Sequence, residues 1–352
     1  MTDNIRRRSV RERMAERQLP IVDSTLVPLL DEPGSTSTFR IGATGELMLD
    51  TAASLPMAED RDQSMGALAE DIAAAYHLLA LPEDASADEV EALAVSVWDE
   101  AGWQHPGVLH LTQGVTLEGP WDLPPQALGL DYSRVFLLRA EPRRGAAPAP
   151  GMENIDLWAR AFPEGVPVGA EFEALLALRR IARRLGGQLR LAGKGIVLTQ
   201  DPFSAVDLNV FGDTYLQVDE VGSALHDMFP GRVQLATPEP ELGQPYALML
   251  RATDRSTVLV GVSPTELTPR ALRWEPNPRY LYELRWNEAN QFLLPDGQIS
   301  RVGQAERRRV AEVLGAAAVK IRSLLGAGAI IDEDDFLLDP AELPPAPEAP
   351  RP

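Results

Sequence analysis

The sequence predicts an α+β fold with mixed or antiparallel sheets, packed helices and disordered ends. Three observations lead there. Short apolar runs alternate at period two through much of the second half, the pattern of half-buried strands. Two stripes at helical spacing, over 171–185 and 304–325, interrupt those runs. From Val135 the order is strand, helix, two or three strands, helix and further strands. That order approximates a split βαβ (ferredoxin-like) unit with added strands.

Residues 1–63 read as a mostly disordered arm. The stretch 31–63 is rich in Gly, Ser, Thr, Ala and acid, with one hairpin candidate over 39–49 turning at Ala43-Thr44-Gly45. Ser64 is a candidate N-cap ahead of Leu68, Ile72, Ala75 and Leu79, a helical stripe that Pro82 stops. Ser86-Ala-Asp-Glu89 has the form of a capping box, with Val90, Leu93, Ala94, Val97 and Trp98 as the apolar face behind it. Short strands are expected at 108–112 and 115–118. Segment 134–140 carries apolar residues on both faces, which suits a central strand. Segment 142–151 reads as a linker between a small helical-plus-strand domain (64–141) and a larger α+β domain (152–330). Pattern alone assigns strand 134–140 to neither side.

In the second half, helix 171–185 turns Phe172, Leu175, Leu176, Leu178 and Leu185 toward a core and ends at Gly186-Gly187, a C-cap signal. Segments 188–192 and 196–199 form a hairpin across Gly193-Lys194-Gly195. Segment 205–211 alternates, with Val206, Leu208 and Val210 on one face. A helix over 215–229 and strands at 232–235, 246–251, 257–262 and 280–286 follow. Helix 304–325 closes the order with Val310, Val313, Leu314, Ala317, Ile321, Leu324 and Leu325 in one stripe. No internal repeat stands out. Residues 331–352 hold seven acids, one Arg and six prolines, and read as an acidic Pro-rich tail.

The charge balance, 33 basic against 52 acidic residues, disfavours bulk nucleic-acid binding because a net −19 repels phosphate. The only lysines are Lys194 and Lys320. The Gly-rich segment before Lys194 does not have phosphate-loop spacing: five residues separate Gly187 from Gly193, and Gly195 stands where a hydroxyl is needed. Without cysteine there are no disulfides, thiolate metal sites or cysteine nucleophiles. That composition suits a reducing cytoplasm. No apolar run has signal-peptide or membrane-span length, so a cytoplasmic protein without membrane insertion is expected.

His77, His105, His110 and His226 match no metal motif, and His77 falls opposite its helix stripe, which predicts exposure. Asp332 to Asp335 lack the EF-hand register, and no G-x-S-x-G elbow is present. No catalytic residue, cofactor or metal is therefore assigned. Arg179, Arg180, Arg183 and Arg184 sit in the last two turns of a helix, where the helix dipole and surface pairs explain them. The functional reading is a basic ridge for an acidic peptide, in one version the chain's own tail. Phe336, Leu337 and Leu338 form an apolar triplet embedded in acid, the form of a short ligand for a partner's groove. Tyr280, Tyr282, Leu284 and Trp286 share one strand face, read as core or, alternatively, as an exposed aromatic platform. Six arginines in the first twenty residues make a basic arm.

The expected function is a non-enzymatic cytoplasmic interaction protein: an adaptor, assembly or regulatory factor that docks protein partners through its charged ends. Two alternatives stand beside it. One is an enzyme or small-molecule binder with a site assembled from dispersed residues. The other is an oligomeric structural protein.

Overall fold

A computed structural model describes residues 39–41, 47–49, 61–229, 231–237, 241, 243–273, 278–287, 292 and 299–343. A short hairpin pairs β1 (Phe39–Ile41) with β2 (Leu47–Leu49), where the sequence places one. The helices are α1 (Glu70–Ala74), α2 (Ala87–Val97), α3 (Leu157–Ala161), α4 (Ala170–Arg184), α5 (Val218–Met228) and α6 (Arg301–Leu324).

Two seven-stranded sheets carry the rest. The first holds β3 (His77–Leu81), β4 (Gly102–His105), β5 (Val108–Thr112), β6 (Val115–Asp122), β7 (Arg134–Arg139), β8 (Gln188–Arg190) and β9 (Val197–Thr199). The second holds β10 (Leu208–Gly212), β11 (Val233–Leu235), β12 (Tyr246–Arg251), β13 (Thr257–Pro264), β14 (Tyr280–Asn287), β15 (Ala329–Asp332) and β16 (Leu337–Leu338). Their orders are β4-β5-β6-β7-β3-β8-β9 and β11-β12-β13-β14-β10-β15-β16, with all neighbours antiparallel.

Adding seven to each strand number of the first order yields the second. The helices correspond too: α2 and α5 follow the first strand of each unit, and α4 and α6 follow the fifth. The chain is therefore one frame used twice, which corrects the absence of a repeat in the sequence. Each copy contains a split βαβ, β7-α4-β8 around β3 and β14-α6-β15 around β10.

The local chemistry repeats as well. Both α2 and α5 have eleven residues and a capping box, Ser86 with Glu89 and Gln217 with Glu220. Each then buries a Val one position after that Glu, Val90 and Val221. Both α4 and α6 run out through Ile-x-x-x-Leu-Gly, at Ile181 and Ile321. Gly186 (φ +67°) and Gly326 (φ +70°) adopt the left-handed turn that ends such helices.

In each unit the two helices cover one sheet face. Leu79, Val90, Leu109, Phe136, Leu178 and Leu189 belong to the first core, and Val210, Val221, Val260, Leu284, Val310 and Ile321 to the second. The opposite face is capped by the loop between the fourth and fifth strands. Ala127 and Leu130 lie over Leu78, Ala80, Val135 and Leu137. Leu272 lies over Phe211 and Ile331.

Several expectations change. His77–Leu81 is a strand, because its apolar run is buried on both faces at the centre of a sheet, and His77 is accordingly buried. Segment 142–151 does not divide the chain into domains. It leads from β7 toward α4, β8 and β9, which complete the first sheet, so the first unit runs to about Thr199. Nor does a tail begin at Ile331: β15 and β16 pair with β10 and with each other, and residues to Leu343 are placed. The Arg-rich first twenty residues and 344–352 lie outside the described residues.

Candidate functional site

The triplet and the basic ridge meet, but across the two units rather than at a free end. Residues 332–336 form the turn between β15 and β16. Asp332 shapes that turn by accepting the Asp334 and Phe336 N–H groups, each at 2.9 Å. Burial pushes its carboxyl up to about 6, against these two donors and with the Asp334 charge adding to the rise. Asp335 adopts φ +67°.

The turn lies on α4 of the first unit. Arg180 donates to the Asp334 carbonyl at 3.2 Å, and Arg183 pairs with the Asp334 carboxylate. Arg183 also donates to Ser204 Oγ at 3.3 Å, and Arg184 to Glu342 at 2.7 Å. Arg179 donates to Gln200 at 3.2 Å. Phe336 is fully buried in the first unit's core, with the Arg180 guanidinium 5.9 Å from its ring. Leu338 is buried in the second unit's core, and Leu337 is half-buried against Ile331 and Phe211. The triplet is thus internal packing and not a presented ligand: Phe336 enters the first core from the turn, and alternation along β16 sends Leu337 and Leu338 to opposite faces of the second sheet. A second link joins Arg270 to the Val97 carbonyl at 2.6 Å and Arg273 to Asp99.

Register gives a residue-by-residue map between the units. In the first sheet Trp103 faces Leu109, Leu109 faces Leu117, Leu117 faces Leu138 and Leu138 faces His77. In the second, Leu235, Leu248, Val260, Leu284 and Leu208 form the same row. The next row, on the face away from the helices, reads Gly102, His110, Thr116, Arg139 in the first unit and Gln234, Met249, Leu259, Arg285 in the second. The corresponding cap-to-cap helix alignment sets Asp88 against Asp219 and Glu91 against Gly222.

This map exposes two grooves, each between the first helix and the edge strand of its sheet. In the first unit the groove is filled by Arg61. Its guanidinium reaches Asp88 at 3.2 Å and Glu91 at 3.0 Å, and lies 6.0 Å from the Trp103 ring centroid. Asp62 fixes the segment by accepting the Ala87 N–H at 2.7 Å and pairing with Arg134 at 2.6 Å. In the second unit the counterparts of all three Arg61 partners, Asp219, Gly222 and Leu235, line an open groove of ≈ 440 Å³.

Other candidate groups resolve into structure. Ala192 N–H donates to His77 Nδ1 at 3.1 Å, so Nε2 bears the proton and donates to Glu171 at 3.0 Å. Arg144 and the Arg143 N–H also serve Glu171. Burial pushes that carboxyl up, but these hydrogen bonds outweigh it and hold it below the usual range. Tyr282 and Leu284 are buried, with Tyr280 and Trp286 packed beside them, so that face is core. Burial raises the Tyr282 hydroxyl to about 12 while it donates to the Thr214 carbonyl at 2.8 Å. Lys194 sits on the β8–β9 turn, His105 and His226 are exposed, and His110 lies 4.0 Å from Glu100. A hollow of ≈ 580 Å³ at the start of α6 is lined by Arg255, Arg301 and Arg309, but its buried Glu306 is already bonded to Thr253 and paired with Arg309. Among the described residues no group of His, Asp and Glu could hold a metal ion. Comparison with protein-family models, with curated proteins and with solved structures gives no match.

Proposed function

We propose that the protein is a non-enzymatic interaction protein, an adaptor, assembly or regulatory factor whose second unit holds a protein partner. The supporting observation is a difference between equivalent positions. His110 and Thr116 in the first unit are replaced by Met249 and Leu259 in the second, paired directly across β12 and β13 and 38% and 43% exposed. An identical frame tolerates polar residues there, so folding does not require the apolar pair. Adjacent exposed apolar side chains on the face away from the helices, rimmed by Gln234 and Arg285, have the form of a contact surface. The proposed setting is the cytoplasm, which suits a chain without cysteine. Among the described residues no helix is long and apolar enough to cross a membrane.

The test compares full-length wild type with a Met249→Glu, Leu259→Glu double variant, each purified from the native host with co-purifying proteins identified by mass spectrometry. A stoichiometric partner lost with the variant, whose circular dichroism stays native, is the expected result. Identical or empty protein sets would overturn the reading. Truncation at residue 330 is unsuitable, since it removes Ile331, Phe336 and Leu338 from the cores.

A further inference from the structure

The filled groove of the first unit describes what the empty one accepts. Arg61 is 5% exposed, and its guanidinium is held by two helix carboxylates and the face of an edge-strand aromatic. That is a built site for an arginine side chain, with charge-assisted hydrogen bonds on one wall and an apolar surface on the other. In the second unit the frame, the helix length and the first carboxylate are kept, as Asp219. The residue that would narrow the groove is a glycine, Gly222. The place of the aromatic is taken by Leu235, 41% exposed, beside Val218 and Val233. Asp227 adds a second acid to the lining, and among the described residues neither Asp219 nor Asp227 forms an ion pair. β11 has a neighbour on one side only in the sheet order.

We propose that the α5–β11 groove binds a segment of a partner protein that presents an arginine next to an apolar residue. The arginine occupies the place that Arg61 holds in the first unit, on Asp219. The apolar neighbour covers Leu235 and Val233, which α5 leaves bare beside Gly222. Charge complementarity selects the occupant: an acid-lined groove on a chain of net −19 disfavours anionic segments. The inference rests on the interaction reading but names a different surface, since Met249 and Leu259 lie on the opposite face of the sheet.

The test is selection from a library of random peptides, about twelve residues long, on the full-length protein, with synthetic versions of the selected peptides then titrated by fluorescence anisotropy. Selected peptides are expected to carry arginine beside an apolar residue. Affinity should fall roughly tenfold or more on Asp219→Asn, which removes the charge-assisted pair. It should fall at least as far on Gly222→Trp, which fills the groove. An added Cβ at Gly222 meets nothing within 4 Å, so a side chain can start there without a backbone clash, and circular dichroism checks that the variant is folded. Binding to the Met249→Glu, Leu259→Glu variant should be unchanged. Selection without arginine enrichment, or peptides indifferent to Asp219→Asn and Gly222→Trp, would overturn the proposal. Peptides that instead lose binding on the Met249/Leu259 variant would overturn it while leaving the interaction reading standing. Competition by a synthetic peptide of residues 1–20 at lower concentration than any selected peptide would also overturn it, by making the chain's own arm the occupant.

Discussion

Replacing Phe336 by alanine separates a buried anchor from a presented ligand. The ring is fully buried in the first unit's core, although its backbone lies in the turn between two strands of the second sheet. A buried aromatic side chain removes about 150–200 Å² from water, which at about 25 cal/mol per Å² is ~4–5 kcal/mol. Alanine retains part of that area, and the cavity left behind adds a penalty, so the expected loss is about 3–5 kcal/mol. Urea unfolding followed by tryptophan fluorescence measures it. Four of the six tryptophans, Trp98, Trp103, Trp121 and Trp158, lie in the first unit, so the signal is weighted toward the unit that receives the ring. An exposed phenylalanine would change stability by no more than about 0.5 kcal/mol. A measured loss below about 1 kcal/mol would refute the packing argument.

Three further outcomes follow from the same geometry. A double-mutant cycle on Arg183→Ala and Asp334→Ala should give a coupling of about 1–2 kcal/mol by urea unfolding, because both side chains are mostly buried; additive effects would contradict a formed pair. Asp332 is held above its unfolded-state value, so its contribution to stability is full in acid below about 4 and is lost as pH rises through about 6. Asp332→Asn keeps an acceptor for the turn and should remove a stability change on the order of 1–3 kcal/mol between pH 4 and 7, measured as midpoint against pH. Glu171 has the opposite sign. Its depressed carboxyl stabilises above the unfolded-state value and loses that contribution as pH falls, so Glu171→Gln should cost about 2–4 kcal/mol at pH 7 and less at pH 3; equal cost at both would contradict the assignment.

Much of the fold was legible where the signal is local. The Ser86 capping box, the 188–199 hairpin and the 304–325 stripe depend on neighbours a few residues apart, and each lies where its pattern places it. The failures are non-local. Of the stripe Leu68, Ile72, Ala75 and Leu79 only Ile72 lies in a helix, the short α1, while the continuous run His77–Leu81 marks a strand buried on both faces. The acids 332–335 read as a solvated tail because their balancing charges, Arg183 and Arg184, lie about 150 residues earlier. The duplication was hidden because a sheet requires only that inward positions be apolar: Leu79 and Val210 are equivalent without being identical. Of the candidate surface, Asp219 and Leu235 carry no signal of their own. Aligning Asp88-Glu-Val90 with Asp219-Glu-Val221 behind their two capping boxes would have found the groove, with Arg61 as its marker.

The central claim is that the chain is one frame used twice, closed across the units by its last hairpin. Hydrogen–deuterium exchange of the full-length protein, resolved by peptide mass spectrometry, tests it most directly. Residues 329–338 should exchange as slowly as β10, with which β15 pairs, and 78–80 should be among the slowest in the first unit. Complete exchange of 329–338 within seconds, at the rate of an unstructured peptide, would contradict the account and return the C-terminus to a tail.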